Sequence, residues 1–238
     1  MYEERIYRRD YITEDLKGFE VMVKESDLYI CAASDLSSEA IESTLKYRSQ
    51  IEEYIKKHPQ FLSSLTPLPI DVLAAPIVNE MLRAGETAGT GPMAAVAGAI
   101  AEYVGRDLLK YSPEVIVENG GDIFLKSLKN RRLGIHAGNS PLSERITVEI
   151  EAKQTPVGVC TSSGTVGPSL SFGRTDAALV VASSAALADA CATAIGNIVK
   201  EPGDIKRALE FGKKAKGVRG VLIIMKDKLG AWGAIKIV

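Results

Sequence analysis

From Leu179 to Val199 the chain carries an almost uninterrupted apolar run whose only charge is Asp189. A run of that length can cross a bilayer, but Asp189, Asn197 and several hydroxyls argue against a membrane span. It reads instead as a buried strand, Ala177 to Ala182, followed by a buried helix, Ala185 to Val199, which Ala and Leu favour and Ser183 or Ser184 caps. Asp189, Thr193 and Asn197 stand four apart, so a carboxylate, a hydroxyl and an amide share one face of that helix. A desolvated, unpaired charge is expensive, so Asp189 requires a hydrogen-bonding protein group, a cation, or a hard metal ion such as Mg2+.

Upstream, Phe19 to Lys24 and Leu28 to Ala32 alternate like strands, with Ser26-Asp27 as the turn between them. A charged amphipathic helix follows from Ser37 or Ser38 to about His58, with Ile41, Leu45, Ile51 and Ile55 on one face and Pro59 closing it. Thr66 to Pro69 is an extended connector, and Val72 to Arg83 reads as a short helix or an irregular segment. A glycine-rich loop, Ala84 to Met93, leads into a small-residue helix, Ala94 to Lys110, with Pro92 suited to its first turn. Val115 to Leu125 is strand, tight turn, strand, and further strands are expected over Leu133 to Ala137, Arg145 to Glu151 and Val157 to Cys160. The last of these runs into Thr161-Ser-Ser-Gly164 and a loop reaching about Arg174. A helix from Asp204 to Lys214 and a hairpin of Gly220 to Met225 with Trp232 to Val238, turned at Asp227 to Gly230, complete the chain. This order predicts an α+β (mixed α/β) architecture of antiparallel sheets with packed helices, in one domain spanning residues 1–238.

With 29 basic and 30 acidic residues the chain lacks the electrostatic footprint of a nucleic-acid or anionic-membrane binder. Met1-Tyr-Glu-Glu-Arg5 is no apolar leader, and a cytoplasmic location is expected. Cys31, Cys160 and Cys191 are odd in number and far apart, as expected of reduced, buried thiols rather than a disulfide framework or a zinc site.

Three glycine- or hydroxyl-rich turns end predicted elements: Gly85 to Gly91, including Gly89 and Gly91; Asn119-Gly120-Gly121-Asp122; and Thr161, Ser162 and Ser163 before Gly164. Such turns expose backbone N–H groups and together can cradle phosphates, although each is also an ordinary turn. The first matches neither GxGxxG nor GxxxxGK[ST]. Asp189 with Thr193 is either a buried hydrogen-bonded pair or a ligand pair. His136 is a core or a site residue. No Ser/His/Asp order or adjacent carboxylate dyad appears, which leaves acyl transfer and glycoside hydrolysis without support.

Three of these segments, in this order, resemble the ApbE-type flavin transferases. Glu118-Asn-Gly-Gly-Asp-Ile123 is similar to that family's Asn-x-Gly-Gly-Asp segment, Val159-Cys-Thr-Ser-Ser-Gly164 to its Ala-Thr-Ser-Gly strand end, and Ala188-Asp-Ala-Cys-Ala-Thr193 to its Ala-Asp-Ala-x-Ala-Thr helix. The resemblance implies the family's T-fold-like architecture and its chemistry, in which Mg2+ and FAD serve to attach FMN through a phosphoester to a Ser or Thr of an acceptor protein. It makes Asp189 and Thr193 the Mg2+ ligands. Where the family has a flavin-binding Lys and Asp, this chain has Ala97 and Glu102, and no histidine stands between Thr165 and Asp176. Asp176, Asp122 or His136 would then have to act as the base. The implied function is Mg2+-dependent binding of FAD or another phosphate-bearing nucleotide, with FAD hydrolysis or FMN transfer. Two other readings stand beside it: a non-catalytic accessory protein that binds a small anion or a partner, and sulfur transfer through Cys160 with Arg174 as the adjacent cation. A homo-oligomer is compatible with the terminal hairpin and the small-residue helix.

Overall fold

A computed structural model of the chain describes residues 15–164 and 173–238. Its strands are β1 (Lys17–Val23), β2 (Ser26–Ala32), β3 (Val115–Asn119), β4 (Asp122–Lys126), β5 (Arg131–Gly134), β6 (Thr147–Ile150), β7 (Val157–Ser162), β8 (Ala177–Ala182), β9 (Val218–Met225), β10 (Lys228–Gly233) and β11 (Lys236–Ile237). The α-helices are α1 (Ser37–Lys57), α2 (Gln60–Ser63), α3 (Pro76–Ala88), α4 (Val96–Leu108), α5 (Ala185–Ile198) and α6 (Ile205–Lys214).

β8 is buried along its whole length, and β7 and β9 are nearly so. Strands without a wet face need cover on both sides, and the topology supplies it. Eight strands form one antiparallel sheet in the order β1-β2-β3-β4-β7-β8-β9-β10, while β5, β6 and β11 form a second, three-stranded sheet. Period-two alternation divides each central strand between two apolar layers. Phe124, Cys160, Ala178, Val180, Val221 and Ile223 face the helices, whereas Ile123, Val159, Leu179, Val181 and Leu222 face the smaller sheet with Leu133, Val148 and Ile150. The α+β architecture on antiparallel sheets is therefore observed. Among the described residues no helix is long and apolar enough to cross a membrane.

Several boundaries differ from the sequence reading for identifiable reasons. The first turn is Lys24-Glu25 rather than Ser26-Asp27, since Val23 pairs with Ser26 and Lys24 takes the positive φ of 53°. In α1 the inner face is Ala40, Ser43, Thr44, Tyr47 and Ile51, and Ile41 and Leu45 are exposed. Hydroxyls can occupy that face because Thr44 Oγ1 donates to Ala40 O at 2.7 Å and Ser43 Oγ donates to Asp107 at 3.1 Å. Val72 and Leu73 lie in an exposed turn, and α3 starts only at Pro76, then runs through Gly85 into the segment read as a glycine loop. Gly85 is helical, and its bare face accommodates the returning chain, where a Cβ would lie 2.8 Å from Thr90 O. The last hairpin turns at Lys226-Asp227, and its outer arm splits into β10 on the large sheet and β11 on the small one. The loop expected between Gly164 and Arg174 lies mostly outside the described residues, as does the opening Met1 to Arg5.

Candidate functional site

Asn119 pairs with Asp122 across a two-residue loop in which Gly120 (φ 70°) and Gly121 (φ 99°) both take positive φ. That backbone favours glycine at both positions, so the sequence Asn-Gly-Gly-Asp specifies a tight hairpin. The turn is braced by Glu118, whose Oε1 accepts the Gly121 N–H at 2.8 Å, and by Thr161, whose N–H donates to Gly121 O at 3.2 Å. Strand register places Cys160 opposite Asp122, and the end of β7 carries Ser162 on the helix-facing side with Cys160. Across that face, Asn119 Nδ2 donates to Ala97 O in the first turn of α4 at 3.1 Å.

α5 lies over the same end of the sheet. Its capping residue is Ser184, whose Oγ accepts the Leu187 N–H at 3.2 Å. Of the residues from Ala185 to Gly196, Asp189 and Thr193 alone are not buried, and the partly open strip continues at Asn197. The i, i+4, i+8 polar stripe is thus the accessible face of the helix as far as Asn197, after which Ile198 is also partly open, on the side of α6.

Asp189 is partly accessible as a residue, but its carboxyl is turned inward and desolvated, and it bonds to backbone. Its Oδ2 accepts the Gly98 N–H at 2.9 Å, and the Ala97 amide also acts on it. These are second- and third-position amides of α4, whose own cap position is Ala95 and supplies no side-chain acceptor. A helix with no cap in its own sequence needs one from elsewhere, and Asp189 provides it across 91 residues of chain. The amides do not fully offset desolvation: burial dominates and pushes the carboxyl up to about 7. Asp122 and Asp189 both bear on the Cys160 thiol, which places all three groups together.

Other residues singled out in the sequence have different surroundings. Cys160 is fully buried, its Sγ donates to Ala185 O at 3.3 Å, and desolvation followed by the two carboxylates raises its pKa well above the ordinary thiol value. Thiolate chemistry needs the opposite environment, which removes support from sulfur transfer. Cys31 and Cys191 are likewise buried and outside any disulfide. Asp176 is buried at the start of β8, and its Oδ2 accepts the Lys226 N–H at 2.6 Å in the β9–β10 turn. His136 follows β5 between Ile135 and Ala137, which point into the apolar layer on the far side of the large sheet. Its own ring is turned outward, 42% exposed and 3.4 Å from Glu144. Gly89 ends α3 with φ 72°, and Gly91 is bare because Ser64 O approaches to within 1.8 Å of where its Cβ would stand. Glu102 is buried and bonded to the first amide of α5.

Among the described residues no three His, Cys, Asp or Glu side chains converge into a metal-binding group. The oxygen donors on this side of the sheet are Asp122, Asp189 and Thr193, with Asn119, Ser162 and the Gly120-Gly121 backbone at the same strand ends.

Gly196, on the inner side of α5, gives a local test of packing. A Cβ there would lie 3.4 Å from Thr175 Oγ1 and 3.5 Å from Ser162 Oγ, both ordinary contacts. Gly196→Ala is therefore expected to be neutral or to stabilise by up to about 1 kcal/mol through helix propensity. Urea unfolding checks it, and a loss above about 1 kcal/mol contradicts the described packing.

The family described as AbpE bacteria matches residues 9–232. A UPF0280 protein of Methanococcus aeolicus is 44% identical over 201 residues, covering 82% of this chain and 81% of that protein. The UPF0280 protein MJ1526 of Methanocaldococcus jannaschii is 41% identical over 221 residues, 90% of each chain. In structure, the chain is similar to the flavin transferase ApbE from Vibrio cholerae, with a TM-score of 0.60 at 13% identity over 92% of this chain and 97% of that one. It is also similar to the ApbE protein from Thermotoga maritima, with a TM-score of 0.55 at 12% identity over 90% and 96%. At such identities the likeness is one of fold.

Proposed function

Because the chain belongs to the family described as AbpE bacteria, we propose that it binds a flavin or related nucleotide diphosphate together with Mg2+ at the Asn119–Asp122 turn and the polar stripe of α5. The observation that carries this reading is Asp189. Its desolvated carboxylate has backbone amides but, among the described residues, no ion-pair partner; it stands one turn from the Thr193 hydroxyl, and Asp122 lies close by. Hard oxygen donors in that number fit Mg2+, which commonly takes one or two carboxylates from protein and completes its shell with water and phosphate oxygens. Asp189 and Thr193 would hold the ion, and the ion would offset charge on a phosphate. Gly120 and Gly121 leave backbone open to a diphosphate, and Ser162 supplies a hydroxyl beside it.

Transfer of the bound group to a protein acceptor requires a base, and two of the three residues nominated for it are engaged elsewhere, which leaves Asp122 at the site. Asp176 holds the β9–β10 turn and His136 faces outward behind the sheet. These surroundings favour a second reading, in which the scaffold binds its nucleotide without turning it over.

The test is a calorimetric titration of metal-stripped protein with FAD, with and without Mg2+, on the wild type and on Asp189→Ala. Metal-dependent binding weakened at least about tenfold to a hundredfold in the variant is expected. Equal affinity in both proteins would remove Asp189 from the site. Chromatography of the mixture for FMN and AMP separates turnover from binding alone.

A further inference from the structure

Glu102 occupies the place that the family resemblance assigns to a ligand-binding acid, yet its surroundings give it another task. It is 1% exposed. Its Oε2 accepts the Ala185 N–H at 2.6 Å, the Ala186 amide also acts on it, and its other oxygen pairs with Arg106. Together with Ser184, which takes the Leu187 amide, Glu102 satisfies the first three amides of α5.

The contact is reciprocal. Glu102 lies one turn after Gly98 on α4 and Asp189 one turn after Ala185 on α5; Glu102 takes the Ala185 amide while Asp189 takes the Gly98 amide. The helices touch where these turns cross, since a Cβ on Gly98 would lie 2.2 Å from Ala185 O. Each helix thus ends in a carboxylate contributed by the other. A rotation or axial slip of α5 that breaks one bond moves the second carboxylate off its amides.

We propose that Glu102 is a positioning residue for Asp189: by holding the start of α5 against α4, it sets where the Asp189 carboxylate stands in the binding site. The assignment of that site rests on the function proposed above, whereas the coupling between the two caps does not. Arg106 closes the outer side of Glu102. The carboxylate has no room to reach a nucleotide while it serves the α5 amides.

Amide hydrogen exchange on the full chain tests the coupling directly in Glu102→Ala and Glu102→Gln. In Glu102→Ala, exchange is expected to accelerate at least tenfold at Gly98 and Ala97 as well as at Ala185 and Ala186, relative to the later turns of α4. Mg2+-dependent FAD affinity, measured well below the unfolding transition, is expected to fall about tenfold. Glu102→Gln keeps an acceptor oxygen and is expected to recover most of both, which a general loss of stability would not do. Should Glu102→Ala fail to fold, Glu102→Asp, one methylene short of the α5 amides, carries the same comparison. Unchanged protection at Gly98 and Ala97 alongside lost protection at Ala185 overturns the proposal. A wild type that shows no Mg2+-dependent binding instead removes the functional reading, and the exchange rates still decide the role of Glu102.

Discussion

Gly98→Ala is expected to destabilise the protein by about 3 kcal/mol, at the upper end of the usual overpacking range, and to lower the unfolding midpoint by roughly 6–12 °C. In an open helix interior the same substitution would help by up to about 1 kcal/mol, because alanine has the higher helix propensity. The sign is reversed by what the methyl group would meet: Ala185 O at 2.2 Å, Ala185 C at 2.6 Å and Asp189 Cβ at 2.9 Å. Two of these atoms are backbone, and that backbone is held from the other side as well. Gly158 of β7 is bare against the same residue, with Ala185 Cα 2.3 Å and Ala185 N 2.5 Å from where its own Cβ would stand. Cys160 Sγ bonds Ala185 O, and Glu102 bonds Ala185 N–H. The start of α5 is therefore gripped between sheet and α4, and neither side can retreat without breaking a hydrogen bond. Urea unfolding of Gly98→Ala beside Gly196→Ala makes the comparison within one protein. Equal effects of the two substitutions would contradict the α4–α5 packing.

How far the sequence discloses this arrangement depends on the range of the interaction. α5 and its Ser184 cap are legible because Ala and Leu propensity, an apolar run and a serine act within a few residues. The Gly120-Gly121 hairpin is legible for the same reason: both positive-φ positions are filled by adjacent glycines. The face of α1 is not, since Ser43 and Thr44 are buried through partners that a polarity pattern does not contain, one of them Asp107 on another helix. The role of Glu102 is hidden by distance, as its amide partner lies 83 residues away. One signal for the long-range cap is present in the sequence. The segment Ala94-Ala-Val-Ala-Gly98 opens a helix without Ser, Thr, Asp or Asn, so its amides require an acceptor from elsewhere, and an aspartate inside an apolar helix is a natural supplier. Joining the donor-rich helix start to the acceptor-bearing helix converts two unexplained local features into one contact.

The stability of the metal-free wild type relative to Asp189→Asn is expected to fall as pH rises from about 4 to 7. The sign follows from the direction of the shift. Burial raises the Asp189 carboxyl from 3.8 to about 7, so over that interval the folded chain holds a proton that the unfolded chain has released. Stability from this group is complete below the unfolded-state pKa and is lost as pH climbs through the folded-state value. At about 1.36 kcal/mol per unit the loss approaches ~4 kcal/mol, an upper limit because the residue keeps partial contact with solvent. Glu102 is also raised by burial and contributes a slope of the same sign, but it is present in both proteins and cancels in their difference. Asparagine keeps an oxygen for the α4 amides and carries no charge to desolvate. Mg2+ provides the second half of the experiment. If Asp189 is a ligand, the ion binds the ionised, folded chain and adds about 2.7 kcal/mol at a concentration one hundred times its Kd, at pH 8 and not at pH 5. Asp189→Asn should lack both the Asp189 contribution to the pH dependence and the Mg2+ increment. Parallel pH profiles for the two proteins would mean that the carboxylate is not desolvated as described, whereas a lost slope with an unchanged Mg2+ increment would leave Asp189 as a helix cap and move the metal to other donors.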